Sequence, residues 1–393
     1  MSGSVIVSYA RTPIGKMSGA LAGFSATDLG GIAITAALEK AGIDGPLVDY
    51  VVMGHVLQAG QGQITARQAA VNAGIPMGVP ALTVNKVCLS GINSIYLADQ
   101  MIAAGDAEVV VAGGMESMTN APYLLAKARG GYRMGNDTLI DSMIHDGLWC
   151  AFEMEHMGEG TQRYADEHEV SRDAQDELAL KSHSRAADAI EHGRFADEIT
   201  EVAIPQRKGD PVVVDTDEGV RAATTLESLG ALRPAFVPDG TVTAGNASQL
   251  SDGAAAMVMM SKAKADDLGV TPLAEVIGYG MVAGPDVSLL HQPSRAIKKA
   301  LDKVGLSVSD VDLFELNEAF AAVGVASMRD LGISDEIVNV NGGAIALGHP
   351  VGMSGTRIVG TLVNELRRRG CSVGAAALCG GGGQGDAALI RVI

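Results

Sequence analysis

The amino-acid sequence predicts a large α/β enzyme built from a duplicated unit, with a separate segment inserted between the two copies. Three observations support this fold class. Strand-like and helix-like hydrophobic patterns alternate, two distant stretches repeat the same pattern, and the repeat stops in the middle of the chain. At 393 residues, the chain is longer than a domain with a single hydrophobic core usually is. The 50 glycines and the aromatic content of only 4% indicate closely packed strands and helices.

Charge and cysteine content narrow the class of protein further. The net charge of −17 argues against a nucleic-acid or anionic membrane surface, although a few local cations could still hold an anionic ligand. The four cysteines show neither a CxxC pair nor zinc-ligand spacing, so we expect reduced thiols, no metal site and a cytoplasmic protein. No apolar run approaches the ~18 residues that span a bilayer, and residues 5–7 resemble a first strand rather than a targeting segment.

The repeated pattern is an amphipathic helix closed by glycine and followed by a strand. Its copies stay about 255–267 residues apart through three successive matches, which indicates duplication. The first match pairs residues 36–54 with residues 299–317. The second pairs the strand that leads into Cys88, and the helix after it, with Ile337–Val340 and the helix near Ser354–Arg369. The third pairs residues 108–114 with residues 373–381. Such alternation predicts parallel sheets covered by helices. Cys88, Asn317 and Cys379 all fall at strand ends, where these units bind ligands, so we expect one shared site.

Cys88 is the first candidate for chemistry. Residues 81–87 have the apolar character of a buried strand, and a helical spacing begins at Gly91 and stops at Gly105. The cysteine is therefore expected beside a helix N-terminus, a setting that lowers a thiol pKa to about 3.5–7.5. The alternative is a small buried hydrophobic residue at a tight turn.

His349 is the second candidate, in a glycine-rich turn before the predicted helix Met353–Arg369. Pro350 favours an extended backbone at His349, which suits a histidine held in a loop that faces a cavity. The alternative is an ordinary solvated loop histidine. No other histidine of the chain has such a setting.

A glycine run follows the third candidate, Cys379. The run leads into a predicted strand at 386–393 and has no Lys-Ser/Thr, so it does not predict a nucleotide site. Glycines in this number let backbone N–H groups approach a reacting atom, as an oxyanion hole requires. Asn317, at the start of another predicted helix, could orient a water molecule or an oxyanion.

The insertion runs from about Thr119 to Gln249 and is rich in acidic residues. A long helix is predicted over 171–192, with Ser171 as N-cap and Gly193 as its stop. Two interpretations remain open, a solvated surface insertion and a lid or cofactor-binding domain. An apolar strand at 255–260 then returns to the first half.

Six motifs, at 10–15, 85–91, 112–118, 317–320, 341–350 and 379–385, match one known family. Through them the chain resembles the thiolases over essentially its whole length, most closely the short-chain acetyl-CoA acetyltransferases. This resemblance implies the thiolase fold, an α/β fold with two βαβαβαββ halves in a layered αβαβα core plus an inserted loop domain. The implied domains are an N-terminal half (1–118 and 250–270), a coenzyme A-binding loop domain (119–249) and a C-terminal half (271–393).

The resemblance also implies roles for the candidate residues. Cys88 would be the nucleophile that accepts the acyl group, and His349 would activate it. Cys379 would be the acid/base thiol that removes the α-proton of a second acetyl group. His349, together with Asn317 acting through a water molecule, would hold the oxygen of that second thioester. Backbone N–H groups of Cys88 and Gly381 would form the other oxyanion hole. The implied reaction is the reversible condensation of two acetyl-CoA to acetoacetyl-CoA and coenzyme A.

Acyl-CoA would thus be a substrate, with no permanently bound cofactor. The coenzyme A contacts implied by the resemblance are Leu148, His156, Met157, Arg221, Ser228, Ala244, Ser248, Ala319 and Phe320. Leu289-Leu290 departs from the Met-Gly that short-chain members usually have at the acyl pocket. A homotetramer built as a dimer of dimers is also implied, without nucleic-acid or membrane partners.

Three other classes of protein are alternatives to the acetyltransferase. A decarboxylating ketoacyl synthase would normally have histidine or asparagine where Cys379 stands. A noncatalytic acyl-CoA carrier would be expected to have lost a reactive group, and Cys88, His349 and Cys379 are all present. A degradative 3-ketoacyl-CoA thiolase of broader chain length has the same reactive residues and stays open.

Overall fold

Strands from both halves of the chain join side by side, and the helices cover them. The computed structural model describes residues 4–393. The strands are β1 (Ser4–Arg11), β2 (Gly15–Lys16), β3 (Tyr50–Gly54), β4 (Ala81–Val84), β5 (Val109–Ser117), β6 (Tyr123–Leu124), β7 (Ile140–Asp141), β8 (Trp149–Cys150), β9 (Glu155–His156), β10 (Val202–Ile204), β11 (Val212–Val214), β12 (Ser251–Ser261), β13 (Ala274–Ala283), β14 (Leu313–Leu316), β15 (Val373–Gly380) and β16 (Gln384–Val392).

The helices alternate with these strands in both halves. They are α1 (Ala26–Ala41), α2 (Thr65–Asn72), α3 (Ser90–Ala104), α4 (Met157–Glu167), α5 (Arg172–Glu191), α6 (Leu226–Gly230), α7 (Lys262–Leu268), α8 (Gln292–Val304), α9 (Ala321–Leu331), α10 (Ala344–Leu347) and α11 (Ser354–Arg369). A π-helical turn spans Met143–Leu148. Within residues 4–393, no helix is long and apolar enough to cross a membrane.

The sheet order is β14-β15-β16-β13-β1-β12-β5-β3-β4, with β2 attached to β12. β1 and β13 connect the two halves through only two residue pairs. The prediction of parallel sheets is only partly right. β3 pairs in parallel with β4 and β5, and β14 pairs in parallel with β15, whereas β12 and β16 run antiparallel to both of their main neighbours. The alternation of strands and helices in the sequence identified the parallel βαβ units, but it did not identify β12 and β16 as antiparallel strands.

The expected αβαβα layering is present, with α3 and α11 in the central layer. Alternate residues of β5 show it, because Val110 and Ala112 belong to the cluster of these central helices while Val109 and Val111 pack towards α1. α8 and α9 cover the outer face of the second half. A Cβ at Gly91 would lie only 2.8 Å from the backbone nitrogen of Thr356. The close approach brings the N-terminal ends of α3 and α11 together.

The duplicated helices end as the repeat predicts. Gly42 and Gly305 close α1 and α8, and Gly105 and Gly370 close α3 and α11, each in the left-handed conformation that glycine adopts without steric cost.

Two predicted strands are shorter or absent. β4 ends at Val84 instead of Val87, and Ile337–Val340 forms only one isolated bridge, between Phe314 and Val338. Asn339 has φ of 46° and exchanges side-chain hydrogen bonds of 2.8 Å with the backbone N–H and C=O of Leu316. This side chain replaces the continuing strand, so the prediction for 337–340 is wrong.

The insertion forms small hairpins and three helices against the second half. The long helix α5 begins after the N-cap Ser171, as predicted, and packs against α9 and α10. The fully buried Arg11 of β1 joins the insertion to the first half, because its guanidinium donates to Glu198 at 2.7 Å and to both oxygens of Asp217. The domain boundaries at 118, 249 and 270 stay a prediction.

Candidate active site

The turn between β4 and α3 places Cys88 at the start of a central helix. Val87 has φ of 51°, an unusual left-handed conformation for a β-branched residue. The Ser90 hydroxyl holds this turn, accepting from Lys86 N at 2.9 Å and donating to Val87 O at 2.6 Å. Lys86 Nζ in turn binds both carboxylate oxygens of Asp386 at 2.8 Å. These contacts fix the direction of the Cys88 side chain.

His349 lies between the short helix α10 and the N-terminus of α11, and it is buried. Its Nδ1 is 2.5 Å from Ser354 Oγ, which donates its own hydrogen to Pro350 O at 3.0 Å. Ser354 Oγ must therefore accept from Nδ1–H, so the proton sits on Nδ1 and Nε2 keeps its lone pair. Ser354 was not predicted as a site residue; its position at the start of the predicted helix, five residues after His349, was the available signal.

The three candidate side chains line one cavity of about 410 Å³. Cys88 and His349 lie in the turns that precede the two central helices α3 and α11, and Cys379 lies near the end of β15. The glycine run fits closely against the turn that carries Cys88, because a Cβ at Gly381 would lie 3.2 Å from the Val87 side chain. The structure thus brings both halves of the duplication to one site.

Asn317 lies at the end of β14, beside His349. Its Nδ2 is 3.4 Å from His349 Nε2. Its Oδ1 is buried and has no hydrogen-bond partner among residues 4–393. Because a buried acceptor without a partner is costly, this oxygen is suited to a water molecule or a ligand group.

Burial shifts the pKa values of Cys88, His349 and Cys379 towards their neutral forms. It raises the pKa of Cys88 to about 12, with a further contribution from the negative charge of Glu116. Burial, helped by the positive charge of Arg357, lowers the pKa of His349 to about 3. The pKa of Cys379 is also raised, by burial and then by Cys88. The expectation of a low Cys88 pKa is wrong, because desolvation outweighs the helix N-terminus.

The predicted coenzyme A contacts divide into two groups. Seven of them line the cavity with the reactive side chains: Leu148, His156, Met157, Ala244, Ser248, Ala319 and Phe320. Arg221 and Ser228 are exposed and lie outside it. Ser228 Oγ donates to Thr225 O at 2.8 Å within the capping contacts of α6.

Several residues that line the cavity were not predicted from the sequence. Phe236 stacks on His156 with ring centroids 4.9 Å apart and meets Phe320 edge-on at 6.0 Å. The other unpredicted lining residues are Met118, Met143, Ile144, Ala235, Ala247, Gln249, Leu250 and Val351. Leu289 also lines the cavity, whereas Leu290 is buried in the cluster between α5 and α9. No sequence pattern distinguishes these apolar residues from ordinary core residues.

Glu116 ties three segments around the site and was also missed. This buried carboxylate accepts from Val56 N at 3.0 Å, Leu57 N at 3.1 Å and Gly352 N at 3.0 Å. His55 Nε2 lies 3.3 Å from it. Its place in the 112–118 motif that carries the thiolase resemblance was the only sequence signal, and its partners became visible only in three dimensions.

Comparison with known proteins identifies the family. The model of the thiolase N-terminal domain matches residues 4–263, and that of the thiolase C-terminal domain matches residues 270–392. The chain belongs to the thiolase family. Together the two matches cover nearly the whole of this thiolase, which is therefore an acyltransferase.

Relatives and a solved structure agree with this assignment. A probable acetyl-CoA acetyltransferase of Mycobacterium tuberculosis is 58% identical, with 100% of both chains covered. The acetyl-CoA acetyltransferase of Escherichia coli is 51% identical, with 100% of this thiolase and 99% of the relative covered. The crystal structure of the Bacillus anthracis acetyl-CoA acetyltransferase superposes with a TM-score of 0.97 at 41% identity, covering 100% of this thiolase and 99% of that chain. The predicted fold is confirmed.

Proposed function

We propose that this thiolase is an acetyl-CoA C-acetyltransferase, which condenses two acetyl-CoA to acetoacetyl-CoA and coenzyme A and catalyses thiolysis in reverse. The convergence of Cys88, His349 and Cys379 in one cavity supports this proposal most directly. A nucleophilic thiol, a base with a free lone pair and a second thiol are the groups that the two half-reactions require.

The first half-reaction acetylates Cys88. Because both Cys88 and His349 are neutral at rest, the thiol proton passes to His349 Nε2 as the sulfur attacks the thioester carbonyl. Backbone N–H groups of Cys88 and Gly381 stabilise the oxyanion. The carbon–sulfur bond of acetyl-CoA breaks, and Cys379, a thiol at rest, gives its proton to the departing coenzyme A.

The second half-reaction forms the carbon–carbon bond. The Cys379 thiolate takes the α-proton of a second acetyl-CoA, and the protonated His349 Nε2 and Asn317 stabilise the enolate oxygen. The enolate carbon attacks acetyl-Cys88, whose carbon–sulfur bond breaks. The Cys88 thiolate then recovers its proton from His349, which restores the free enzyme. Covalent capture of this kind gives ping-pong kinetics.

Coenzyme A acts as a substrate in this scheme. The apolar lining formed by Phe236, Phe320 and Met157 suits the pantetheine arm. We assign Arg221 and Ser228 to the adenine and phosphate end, because both are exposed while the remaining predicted contacts line the cavity. A few local cations of this kind allow a protein of net charge −17 to hold an anionic substrate.

The enzyme is expected to prefer the C4 substrate acetoacetyl-CoA over longer 3-ketoacyl-CoA. Leu289 and Met157 line both this cavity and a neighbouring void of about 20 Å³, whose other lining residues include Cys150, Thr161 and Tyr164. Thiolysis of acetoacetyl-CoA should therefore exceed that of C8–C10 3-ketoacyl-CoA in kcat/KM. Leu289→Ala should raise the C6-to-C4 ratio, because it joins the void to the acyl pocket. Leu290→Ala removes the same atoms outside the cavity and should leave the ratio unchanged.

Thiolysis rates with C4, C6, C8 and C10 substrates measure this specificity. Comparable kcat/KM values for C4 and C8–C10 would assign the protein to the degradative, broad-range 3-ketoacyl-CoA thiolases instead.

Two apolar surfaces support a homotetramer built as a dimer of dimers. The edge strand β4 exposes Leu82, and the loop before β4 exposes Met77. The hairpin of β6 and β7 exposes a second set that includes Tyr123, Leu125 and Met134. Sedimentation equilibrium should give about four times the chain mass of 40.3 kDa; a concentration-independent monomer would contradict this assembly. We also assign the enzyme to the cytoplasm and to fatty acid metabolism.

A further inference from the structure

We infer that Ser182, a residue of the inserted segment, is a positioning residue for His349. The inference rests on the proposed function, in which His349 Nε2 takes the Cys88 proton. Ser182 lies on α5, whereas His349 follows α10 in the second half of the chain. The insertion therefore contributes to the catalytic geometry as well as to the coenzyme A pocket.

Ser182 binds the N-terminal side of α10. Its hydroxyl accepts from Gly343 N at 3.0 Å and from Ala346 N at 3.3 Å, and it donates to Glu318 Oε2 at 2.7 Å. The same Glu318 oxygen accepts from Ile345 N at 3.1 Å. The first N–H groups of a helix have no partner within it, so this hydroxyl and carboxylate supply the partners that so short a helix lacks.

Gln249 binds the same helix from its carbonyl side. Its Nε2 donates to Ile345 O at 2.9 Å and to Ala346 O at 3.1 Å, and also to Gly219 O of the insertion at 3.0 Å. Its backbone oxygen accepts from His349 N at 3.1 Å. Ser182 and Gln249 thus hold opposite sides of the helix that leads into the catalytic histidine.

The segment before α10 fits against α5 without spare room. Gly342 has φ of 82°, and a Cβ there would lie 2.6 Å from Ser182 O. A Cβ at Gly343 would overlap the Glu318 carboxyl group. Ser182 is buried. If its hydroxyl moved or were lost, the backbone segment that carries His349 would move as well.

The same turn of α5 also contacts the predicted coenzyme A segment. His183, the next residue, accepts from Arg221 N at 3.2 Å through Nδ1. This contact links the segment around Arg221, which is predicted to bind coenzyme A, to the helix that positions His349. A displacement of about 1 Å in a catalytic group typically costs about 100-fold in rate.

Ser182→Ala tests the inference, with Ser184→Ala as the matched control on the same helix. Ser184 is exposed and its hydroxyl donates only to Lys181 O of its own helix, at 3.1 Å. We expect Ser182→Ala to lower kcat by about 10–100-fold with little change in KM for acetyl-CoA. Alkylation of Cys88 by iodoacetamide should slow by a similar factor, because it also needs His349 Nε2. Ser184→Ala should change neither rate.

Ser182→Cys provides a second variant should Ser182→Ala fail to fold. It keeps a side chain of similar shape, replaces the hydroxyl with a thiol that is a weak donor and acceptor, and should slow alkylation at Cys88, located by mass spectrometry, in the same way. Unchanged alkylation in folded Ser182→Ala, or a change confined to KM, would overturn the inference. Alkylation needs no acyl-CoA, so a wild-type enzyme without condensation activity would refute the proposed function while leaving this test valid.

Discussion

Replacing Cys379 with alanine should separate the two half-reactions. The variant loses the thiol that removes the α-proton but keeps Cys88, His349 and the glycine backbone donors. Condensation of acetyl-CoA should fall by at least the ~10²–10⁴-fold typical of general acid–base catalysis. Acetylation of Cys88 should survive to a useful degree, since coenzyme A is a stable leaving group that water can protonate. Mass spectrometry of the acetyl-enzyme and a condensation assay measure the two effects.

Cys88→Ala is the reciprocal control and should abolish both half-reactions. Cys371→Ala controls for thiol loss as such, because Cys371 is partly exposed and lies outside the cavity. Nearly intact acetoacetyl-CoA formation in Cys379→Ala would show that Cys379 only packs in the strand and takes no part in the reaction. A stable acetyl adduct found only on Cys150 or Cys371 would overturn the choice of Cys88 as nucleophile.

His349→Ala should change both the rate and the pH dependence of Cys88 acetylation. In the wild type neither group changes charge between about pH 5 and 8, because the pKa of His349 is about 3 and that of Cys88 about 12. The acetylation rate should therefore be nearly constant over that range. Without the base, only preformed thiolate reacts, so the rate should fall by about 10²–10⁴-fold at pH 7 and then rise about tenfold per pH unit.

Acetylation rates measured by mass spectrometry from pH 6 to 9 test this expectation. His192→Ala serves as the control, because His192 is exposed and pairs with Asp188 on the surface. A wild-type rate that rises through pH 6–7 would indicate a titrating His349 and contradict the neutral pair. An unchanged rate in His349→Ala would remove this residue from the mechanism.

The amino-acid sequence by itself predicted the duplicated α/β organisation and the three candidate residues that line one cavity. Both rest on local patterns. Glycines close the matching helices α1 and α8, and Ser171 caps α5, because a helix terminus is decided by a few adjacent residues. Cys88, His349 and Cys379 stand in dense motifs at the ends of strands or helices, where backbone geometry alone directs side chains to one edge.

Only the tertiary structure decided how these residues behave. Burial set the pKa of Cys88 high, against the expectation from its helix N-terminus, because desolvation depends on every segment packed around the thiol. Ser182 and Glu116 reach the catalytic loops across long stretches of sequence, and no local pattern records such contacts. The same reason explains the lost strand at 337–340, since Asn339 takes its partners from the end of β14 rather than from its neighbours in the chain.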